Sequence, residues 1–344
     1  MSNDAGKTAG PLTKPTRSYL ESTAVERLAG WLSASIFSIV YFAAPIYLTG
    51  TALLLARAPR SKFTWGLAAP VCLAALLPCD LSARVGPSIF RTWFMKQIVK
   101  YFKYEEYLEF TDKDIADSHK EGKRFIFASH PHGVVSFCGM CAAISSHSAV
   151  DGFSTFGIMD LPTAVASVIK MVPFLKNVLG VFGLIDASKQ VLVKRLKRAG
   201  GSVVIYIGGM VELFMSSPKQ EVVFLKKRKG FIRLALSTGA DVVPIYLFGN
   251  TTVLSVLTSG PLAALSRAAG VSVTIFWGRF GLPMPYPVKL TYARGRPIGL
   301  PHIENPTDED IDRWHDVYCK KLVELFDNYK VFNPDYVQKS LVIQ

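Results

Sequence analysis

Charge is scarce in this sequence, and negative charge is the scarcer kind. Only 19% of the 344 residues are charged, with 26 Asp and Glu against 39 Lys and Arg, while half of all residues are hydrophobic. So apolar a composition excludes an intrinsically disordered chain, which needs low hydrophobicity and high charge. A net charge of +13 on such a chain indicates a protein that works at an anionic membrane surface.

Signatures of metal, nucleotide and nucleic-acid sites are missing as well. Cys138 and Cys141 form one CxxC pair, but no second pair completes a zinc set, so we predict no metal site. No P-loop or GxGxxG stretch follows a predicted strand, and aromatic and basic residues do not alternate as in single-strand binders. We therefore expect neither a cofactor nor a nucleic-acid partner.

Two long runs contain no charge at all. The first, residues 28–56, would form a helix longer than the roughly 30 Å hydrocarbon core of a bilayer at about 1.5 Å per residue. The second, residues 63–79, is just long enough to cross. These runs predict a transmembrane helical hairpin over 28–84, and an interfacial or re-entrant second segment is the alternative.

The hairpin divides the chain into three predicted parts. A mobile cytosolic tail (1–27) precedes it, because these residues are rich in Gly, Pro, Ser and Thr and lack an apolar period. A membrane-associated domain (85–344) follows. Basic residues are more numerous outside the hairpin than in its turn, so the positive-inside tendency places both ends in the cytosol.

Residues 88–103 predict a basic amphipathic helix directly after the hairpin. Apolar side chains, including Phe90, Phe94 and Ile98, share one helical stripe, and the stretch has no acidic residue. Such a helix is expected to lie among lipid headgroups. An ordinary domain helix with a solvated basic face is the alternative.

From residue 124 onward, short β-branched runs alternate with helical patterns. This alternation predicts an α/β domain with a largely parallel sheet flanked by helices, in which ligands bind beyond the carboxyl ends of the strands. The predicted strands are 124–129, 202–207, 241–248, 271–276 and 288–292. The predicted helices are 186–199, 229–238 and a last helix that begins at Thr307 with a capping box to Asp310.

The first candidate catalytic segment ends a predicted strand in His130, Pro131, His132 and Gly133. Pro131 removes a backbone donor and Gly133 permits a sharp bend, so the chain must leave the sheet there. Both imidazoles are thereby placed at the rim of the sheet. A neutral imidazole accepts a proton from an alcohol near pH 7, which is the task of a general base.

A second strand ends in Gly208 and Gly209, and Glu212 follows. Paired glycines allow a substrate to approach the backbone closely. The Glu212 carboxylate could orient an imidazole or accept a hydrogen bond from a substrate hydroxyl. A surface glutamate at the start of a helix is the alternative.

Positive charge is concentrated over residues 186–233, which hold 11 Lys and Arg and three acids. Within this range, Arg228, Lys229 and Gly230 stand immediately before a helical pattern. Because the amino end of a helix favours phosphate, we predict a site there for a phosphorylated ligand such as a CoA ester. A solvated basic face is the alternative.

Together these motifs resemble the type 2 diacylglycerol acyltransferase family, which includes monoacylglycerol and wax-ester acyltransferases. The resemblance runs from about Arg91 to the C-terminus. Its blocks are His130-Pro131-His132-Gly133, Gly208-Gly209 with Glu212, Arg228-Lys229-Gly230-Phe231 through Leu234-Ala235-Leu236, and residues 241–248 (DVVPIYLF). The N-terminal hairpin also looks like the membrane anchor of that family.

The resemblance implies a glycerolipid-acyltransferase-like fold and transfer of a fatty acyl group from acyl-CoA, the co-substrate, to the hydroxyl of a neutral glycerolipid. Diacylglycerol is the expected acceptor and triacylglycerol the expected product. It further implies a multi-pass protein of the endoplasmic reticulum membrane with a cytosolic catalytic domain. Association with lipid droplets and self-association into a homo-oligomer are compatible with it.

Three other functions stay open at this stage. The acceptor could instead be monoacylglycerol or a long-chain alcohol. The protein could act on lysophosphatidic acid, or it could be a non-catalytic, membrane-anchored protein that binds acyl-CoA or anionic lipid. The family is similar to glycerolipid acyltransferases that carry an aspartate five residues after the histidine, but Val135 occupies that position here.

Because that aspartate is missing, another group must orient the catalytic imidazole. We hypothesise that His130 is the base and that His132 or Glu212 holds its ring. Sequence alone leaves the choice between the two histidines open, because a turn at Pro131 could separate residues that would otherwise point the same way.

Overall fold

The computed structural model describes residues 10–148, 161–209, 212, 220–257 and 275–344. Its strands are β1 (Arg17–Ser18), β2 (Glu105–Leu108), β3 (Phe125–His130), β4 (Thr163–Val165), β5 (Leu184–Asp186), β6 (Val203–Tyr206), β7 (Gln220–Val223), β8 (Asp241–Phe248), β9 (Ser255–Val256), β10 (Phe276–Trp277), β11 (Thr291–Arg294) and β12 (Ser340–Ile343). Its α-helices are α1 (Ala24–Arg57), α2 (Lys62–Leu76), α3 (Cys79–Phe90), α4 (Trp93–Tyr101), α5 (Asp112–Lys120), α6 (Phe137–Ser148), α7 (Leu175–Gly180), α8 (Lys189–Leu196), α9 (Gly230–Thr238) and α10 (Asp308–Tyr329).

Eight strands form the central sheet, in the order β1-β2-β11-β8-β3-β6-β4-β5. The strands from β8 to β5 are mutually parallel, whereas β11 runs antiparallel to β8 and β1 runs antiparallel to β2. The predicted α/β fold with a largely parallel sheet is thus confirmed. Its parallel part puts the carboxyl ends of β3, β6 and β8 on one edge.

Helices cover the sheet on both faces, which is what a parallel sheet requires to bury both its sides. One apolar layer contains buried side chains of α1, α4 and α6, among them Ala34, Ile98 and Phe137. The other contains side chains of α8, α9 and α10, such as Ile232 and Leu322.

Most predicted elements of the domain are present. The predicted strand 241–248 is β8, and the capping box between Thr307 and Asp310 opens α10. The strand predicted at 288–292 begins later, at Thr291, and the helix predicted at 186–199 is shorter. Residues 271–274 of another predicted strand lie outside the described residues, and that strand's last residue, Phe276, begins β10.

The described part of the predicted mobile tail, residues 10–27, contains regular structure and contacts the domain. Here β1 pairs with β2, and the Arg17 guanidinium bonds the buried carboxylates of Glu106 and Asp112. Helix α1 already begins at Ala24. The physical reason is that Arg17 offsets two buried negative charges, which would otherwise be costly to bury.

The first half of α1 belongs to the domain rather than to a separate anchor. Gly30 allows α1 to pack closely on α4, since a Cβ there would overlap the backbone carbonyl of Gln97. Ala34 and Phe37 lie in the same apolar layer as α4 and α6. Residues on both sides of the predicted boundary near residue 84 therefore pack in the same apolar layer.

Helix α1 is long and apolar enough to cross a bilayer, and it exposes most of its surface. Helix α2 has 15 residues and is about 22 Å long, which is too short to cross a bilayer alone. It meets α3 at an 85° bend, so a second span exists only if α2 and α3 cross the membrane together. The two-span hairpin is thus not established. Strands β1 and β2, which precede and follow α1–α4 in the chain, pair in one sheet.

The single amphipathic helix predicted over 88–103 is wrong, because α3 ends at Phe90 and Thr92 caps the new helix α4. Most of its apolar stripe packs inside the domain, including the fully buried Phe90 and Ile98. Trp93 and Phe94 at the start of α4 remain exposed. The alternative, a domain helix with basic residues on its outer face, describes α4 better.

Candidate active site

The two candidate catalytic segments meet at the carboxyl edge of the parallel sheet. Strand β3 ends at His130 and its neighbour β6 ends at Tyr206, just before Gly208. Gly133 has a φ of +67°, in the left-handed region, and a Cβ there would press against Asn250. The sharp exit predicted for the chain is therefore present.

His130 is fully buried and both its ring nitrogens are engaged. Its Nδ1 lies 3.1 Å from Glu212 Oε1, and its Nε2 lies 3.1 Å from the hydroxyl of Tyr318 on α10. Because a carboxylate oxygen accepts, Nδ1 donates to Glu212 and Nε2 carries the lone pair. The Tyr318 hydroxyl faces this Nε2 and also lies 3.3 Å from the carbonyl oxygen of Ala128, so its one hydrogen can bond either acceptor. The Nε2 of His130 is thus covered by Tyr318 rather than open to a substrate.

Glu212 ties the two segments together. Its buried carboxylate accepts from the backbone N–H of His132 at 3.1 Å and of Phe224 at 3.2 Å, besides contacting His130. Gly208 makes room for it, because a Cβ on residue 208 would overlap the carboxyl group. The reading of Glu212 as a surface glutamate is wrong, since its side chain is fully buried.

His132 is held differently from His130. Its Nδ1 lies 2.5 Å from the carbonyl oxygen of Gly133. Because a carbonyl only accepts, Nδ1 carries the hydrogen, and Nε2 keeps its lone pair. Burial lowers the pKa of His132 from its ordinary value near 6.5, so the neutral ring is favoured at pH 7. These are the properties of a general base.

Asn250 secures the loop of the two histidines, and sequence reasoning missed it. Its Nδ2 donates to the carbonyl oxygens of Pro131 and His132 at 2.9 and 2.8 Å, and its Oδ1 accepts from the Cys138 N–H. Asn250 stands two residues beyond the end of β8. The rule that located His130, a polar residue just after a strand, would also have found Asn250.

Tyr318 was missed for a different reason. It lies in the middle of α10, one of many aromatic residues, and 188 residues separate it from His130. No local pattern distinguishes it from a core tyrosine.

The basic loop, residues 226–230, lies between β7 and α9 on the side of Glu212. Phe224 connects it to the site, because the Phe224 N–H bonds Glu212 and the guanidinium of Arg228 stacks over the Phe224 ring at 5.3 Å. Lys229 pairs with the exposed Asp312 at 2.6 Å. Gly230 begins α9 and has open space at its Cβ position.

Within the described ranges, no three His, Cys, Asp or Glu side chains are arranged to hold a metal ion. Burial raises the pKa of the Cys138 and Cys141 thiols well above its ordinary value, so these thiols stay protonated. A protonated thiol is neither a good nucleophile nor a metal ligand.

The chain is similar to several known proteins. The family model described as diacylglycerol acyltransferase matches residues 65–344. The chain is 34% identical to diacylglycerol O-acyltransferase 2 of Dictyostelium discoideum over 223 residues, which are 60% of this chain and 66% of that protein. It is 33% identical over 225 residues to the human diacylglycerol O-acyltransferase 2, covering 60% of this chain and 57% of the human one.

Two further similarities concern other acyltransferases. Human 2-acylglycerol O-acyltransferase 3 is 33% identical over 225 residues, which cover 60% of this chain and 65% of that protein. The chain thus spans less than two thirds of each of these three relatives. Among solved structures, the 1-acyl-sn-glycerophosphate acyltransferase PlsC of Thermotoga maritima matches with a TM-score of 0.40 and 13% identity, covering 88% of this chain and 97% of that one.

Proposed function

The chain belongs to the diacylglycerol acyltransferase family, and from that premise we propose that it transfers a fatty acyl group from acyl-CoA to diacylglycerol, giving triacylglycerol. One observation carries the proposal. A neutral imidazole whose Nε2 has no bonding partner among the described residues, that of His132, stands at the carboxyl edge of the sheet on a loop fixed by Glu212 and Asn250.

In the proposed reaction, His132 Nε2 removes the proton of the acceptor hydroxyl as the oxygen attacks the thioester carbonyl. The new C–O bond forms, the C–S bond breaks, and the CoA thiolate takes the proton back from His132. Atoms and charge balance between alcohol and thioester, so the step needs no cofactor.

We propose His132 as the base in place of His130, the hypothesis from the sequence. A base must present a lone pair to the substrate. His130 Nε2 faces the Tyr318 hydroxyl in a fully buried position, so we assign His130 and Glu212 the task of positioning the loop.

The proposal is tested by incubating the purified full-length protein with labelled oleoyl-CoA and diacylglycerol, and separating the products by thin-layer chromatography. Labelled triacylglycerol is expected. Saturable, salt-sensitive binding of oleoyl-CoA without any acylated product would instead support a non-catalytic lipid-binding protein.

Monoacylglycerol is the second candidate acceptor. The observation that favours it is the equal identity, 33%, to diacylglycerol O-acyltransferase 2 and to 2-acylglycerol O-acyltransferase 3, both human. The same assay with monoacylglycerol in place of diacylglycerol compares kcat/KM for the two acceptors.

The basic loop is proposed to hold the CoA phosphates. Replacing Arg228 and Lys229 together by alanine is expected to raise KM for acyl-CoA roughly tenfold, because charge-assisted bonds to phosphate are lost. KM for diacylglycerol should change little. Since the ion pair between Lys229 and Asp312 is exposed, its loss costs little stability.

The double variant Lys320→Ala/Lys321→Ala is the matched control. It removes the same charge from exposed positions of α10 and is expected to leave both KM values unchanged. An equal rise of both KM values in the Arg228/Lys229 variant would contradict the phosphate role.

For the membrane region, we propose an endoplasmic reticulum hairpin with both ends in the cytosol. The packing of β1 and α3–α10 into one domain supports a common side for both ends. A flexible insertion with an Asn-x-Thr acceptor between Pro59 and Arg60 is then expected to be glycosylated in microsomes. The same insertion between Glu304 and Asn305 should stay unmodified. If the insertion between Pro59 and Arg60 is also not glycosylated, a re-entrant hairpin is favoured.

A further inference from the structure

Arg279 is a half-buried cation on the side of the domain that α1 covers. Its guanidinium stacks over the rings of Trp31 and Phe280 at 5.3 and 5.2 Å and lies beside the Tyr101 hydroxyl. Over the described residues, no carboxylate pairs with it. A half-buried guanidinium without such a partner can bind an anion.

A polar atom beside Arg279 also lacks a partner. The indole Nε1 of Trp31, whose ring lies under the guanidinium, is buried and makes no hydrogen bond in the described part of the protein. Because buried polar atoms are nearly always bonded, this unpaired donor next to a cation indicates a bound acceptor group.

The surroundings of this polar group are apolar and exposed. Phe280 is 75% exposed, Phe94 62% and Leu28 54%, and Leu32 continues the same outer stripe of α1. Exposed large apolar residues around a cation and a tryptophan are typical of a protein surface at the headgroup level of a membrane. A soluble anion would gain nothing from this apolar rim, whereas a lipid fills it with acyl chains.

We propose that Arg279 and Trp31 bind the phosphate of an anionic membrane phospholipid, at a site separate from His132 and from the basic loop. The guanidinium and the indole N–H donate to the phosphate oxygens. The acyl chains lie along Leu28 and Leu32. The site would fix how deeply the domain sits in the bilayer.

Dioctanoyl phosphatidylglycerol is the probe, titrated into the full-length protein in neutral detergent and followed by calorimetry. Arg279→Gln is expected to weaken binding roughly tenfold or more, because charge-assisted bonds are lost. Trp31→Phe keeps the ring beneath Arg279 and removes the N–H, so a smaller loss of a few-fold is expected. Arg296→Gln removes the same charge from an exposed position and should leave binding unchanged.

Three results would overturn the proposal. Equal weakening by Arg279→Gln and Arg296→Gln would show attraction by net charge alone. Competition by free CoA would show that Arg279 holds the phosphates of the donor. Unchanged binding in Arg279→Gln, with a thermal unfolding midpoint equal to that of the parent, would show that the lipid binds elsewhere. If Arg279→Gln does not fold, lipid binding by Trp31→Phe is compared with lipid binding by Arg296→Gln, and the same criteria apply.

Discussion

His132→Ala is expected to lower kcat for acyl transfer by about 10²-fold or more, the usual cost of removing a general base. The reason is the lone pair on Nε2 of His132, which follows from the bond of its Nδ1 to the Gly133 carbonyl. Thermal stability should change little, because the backbone N–H of residue 132 still bonds Glu212. Initial rates and a thermal melt of the same preparation measure both.

His130→Ala is expected to behave differently. It removes the ring partner of a fully buried carboxylate and one of the two partners of the Tyr318 hydroxyl, so the melting midpoint should fall together with the rate. His302→Ala, at an exposed position, is the control for substitution of a histidine. Should His132→Ala retain its rate while a folded His130→Ala loses activity, His130 would be the base.

The pH dependence adds an independent criterion. Burial lowers the pKa of His132 below 6.5, and the base works only when neutral. Protonation on acidification therefore removes activity as pH falls through this lowered pKa, and kcat/KM should form an acid limb centred below about 6.5. A limb centred above that pH would not belong to His132.

The positions of these groups were partly predictable. His130 and Gly208 each follow a strand, and β3 and β6 are parallel neighbours, so their ends had to meet at one edge. The burial of Glu212 could not be predicted from the neighbouring sequence, because it depends on hydrogen bonds to Phe224 and to the histidine loop. Which histidine keeps a free nitrogen depends on Tyr318, a residue of a distant helix.

The N-terminal region shows a second limit of prediction from the sequence. Residues 10–23 carry no apolar period, so local reasoning predicted a tail. Their order comes from Arg17, whose two buried partners lie about 90 residues away and are joined to it only in the folded sheet. The apolar run of α1 was read as membrane throughout, whereas its small residues Gly30 and Ala34 face the domain.

Gly208→Ala is expected to reduce acyl transfer by at least about 10²-fold and to destabilise the protein, although it adds a single methyl group. The new Cβ would overlap the carboxyl group of Glu212, which is fully buried and bonded on three sides. Moving it aside breaks bonds to a charged group, each worth roughly 1.5–3 kcal/mol. The histidine loop would lose the contact that holds it.

Gly209→Ala is the matched control. Gly209 has a φ of +62°, so alanine is strained there by about 1–2 kcal/mol, but nothing lies within 4 Å of its Cβ position. It should lower the melting midpoint slightly and reduce kcat far less than Gly208→Ala does, because it leaves the Glu212 carboxylate in place. Because both variants add the same methyl group to neighbouring glycines, their difference isolates the position of Glu212. Equal rates in Gly208→Ala and Gly209→Ala would mean that acyl transfer does not depend on where this carboxylate lies.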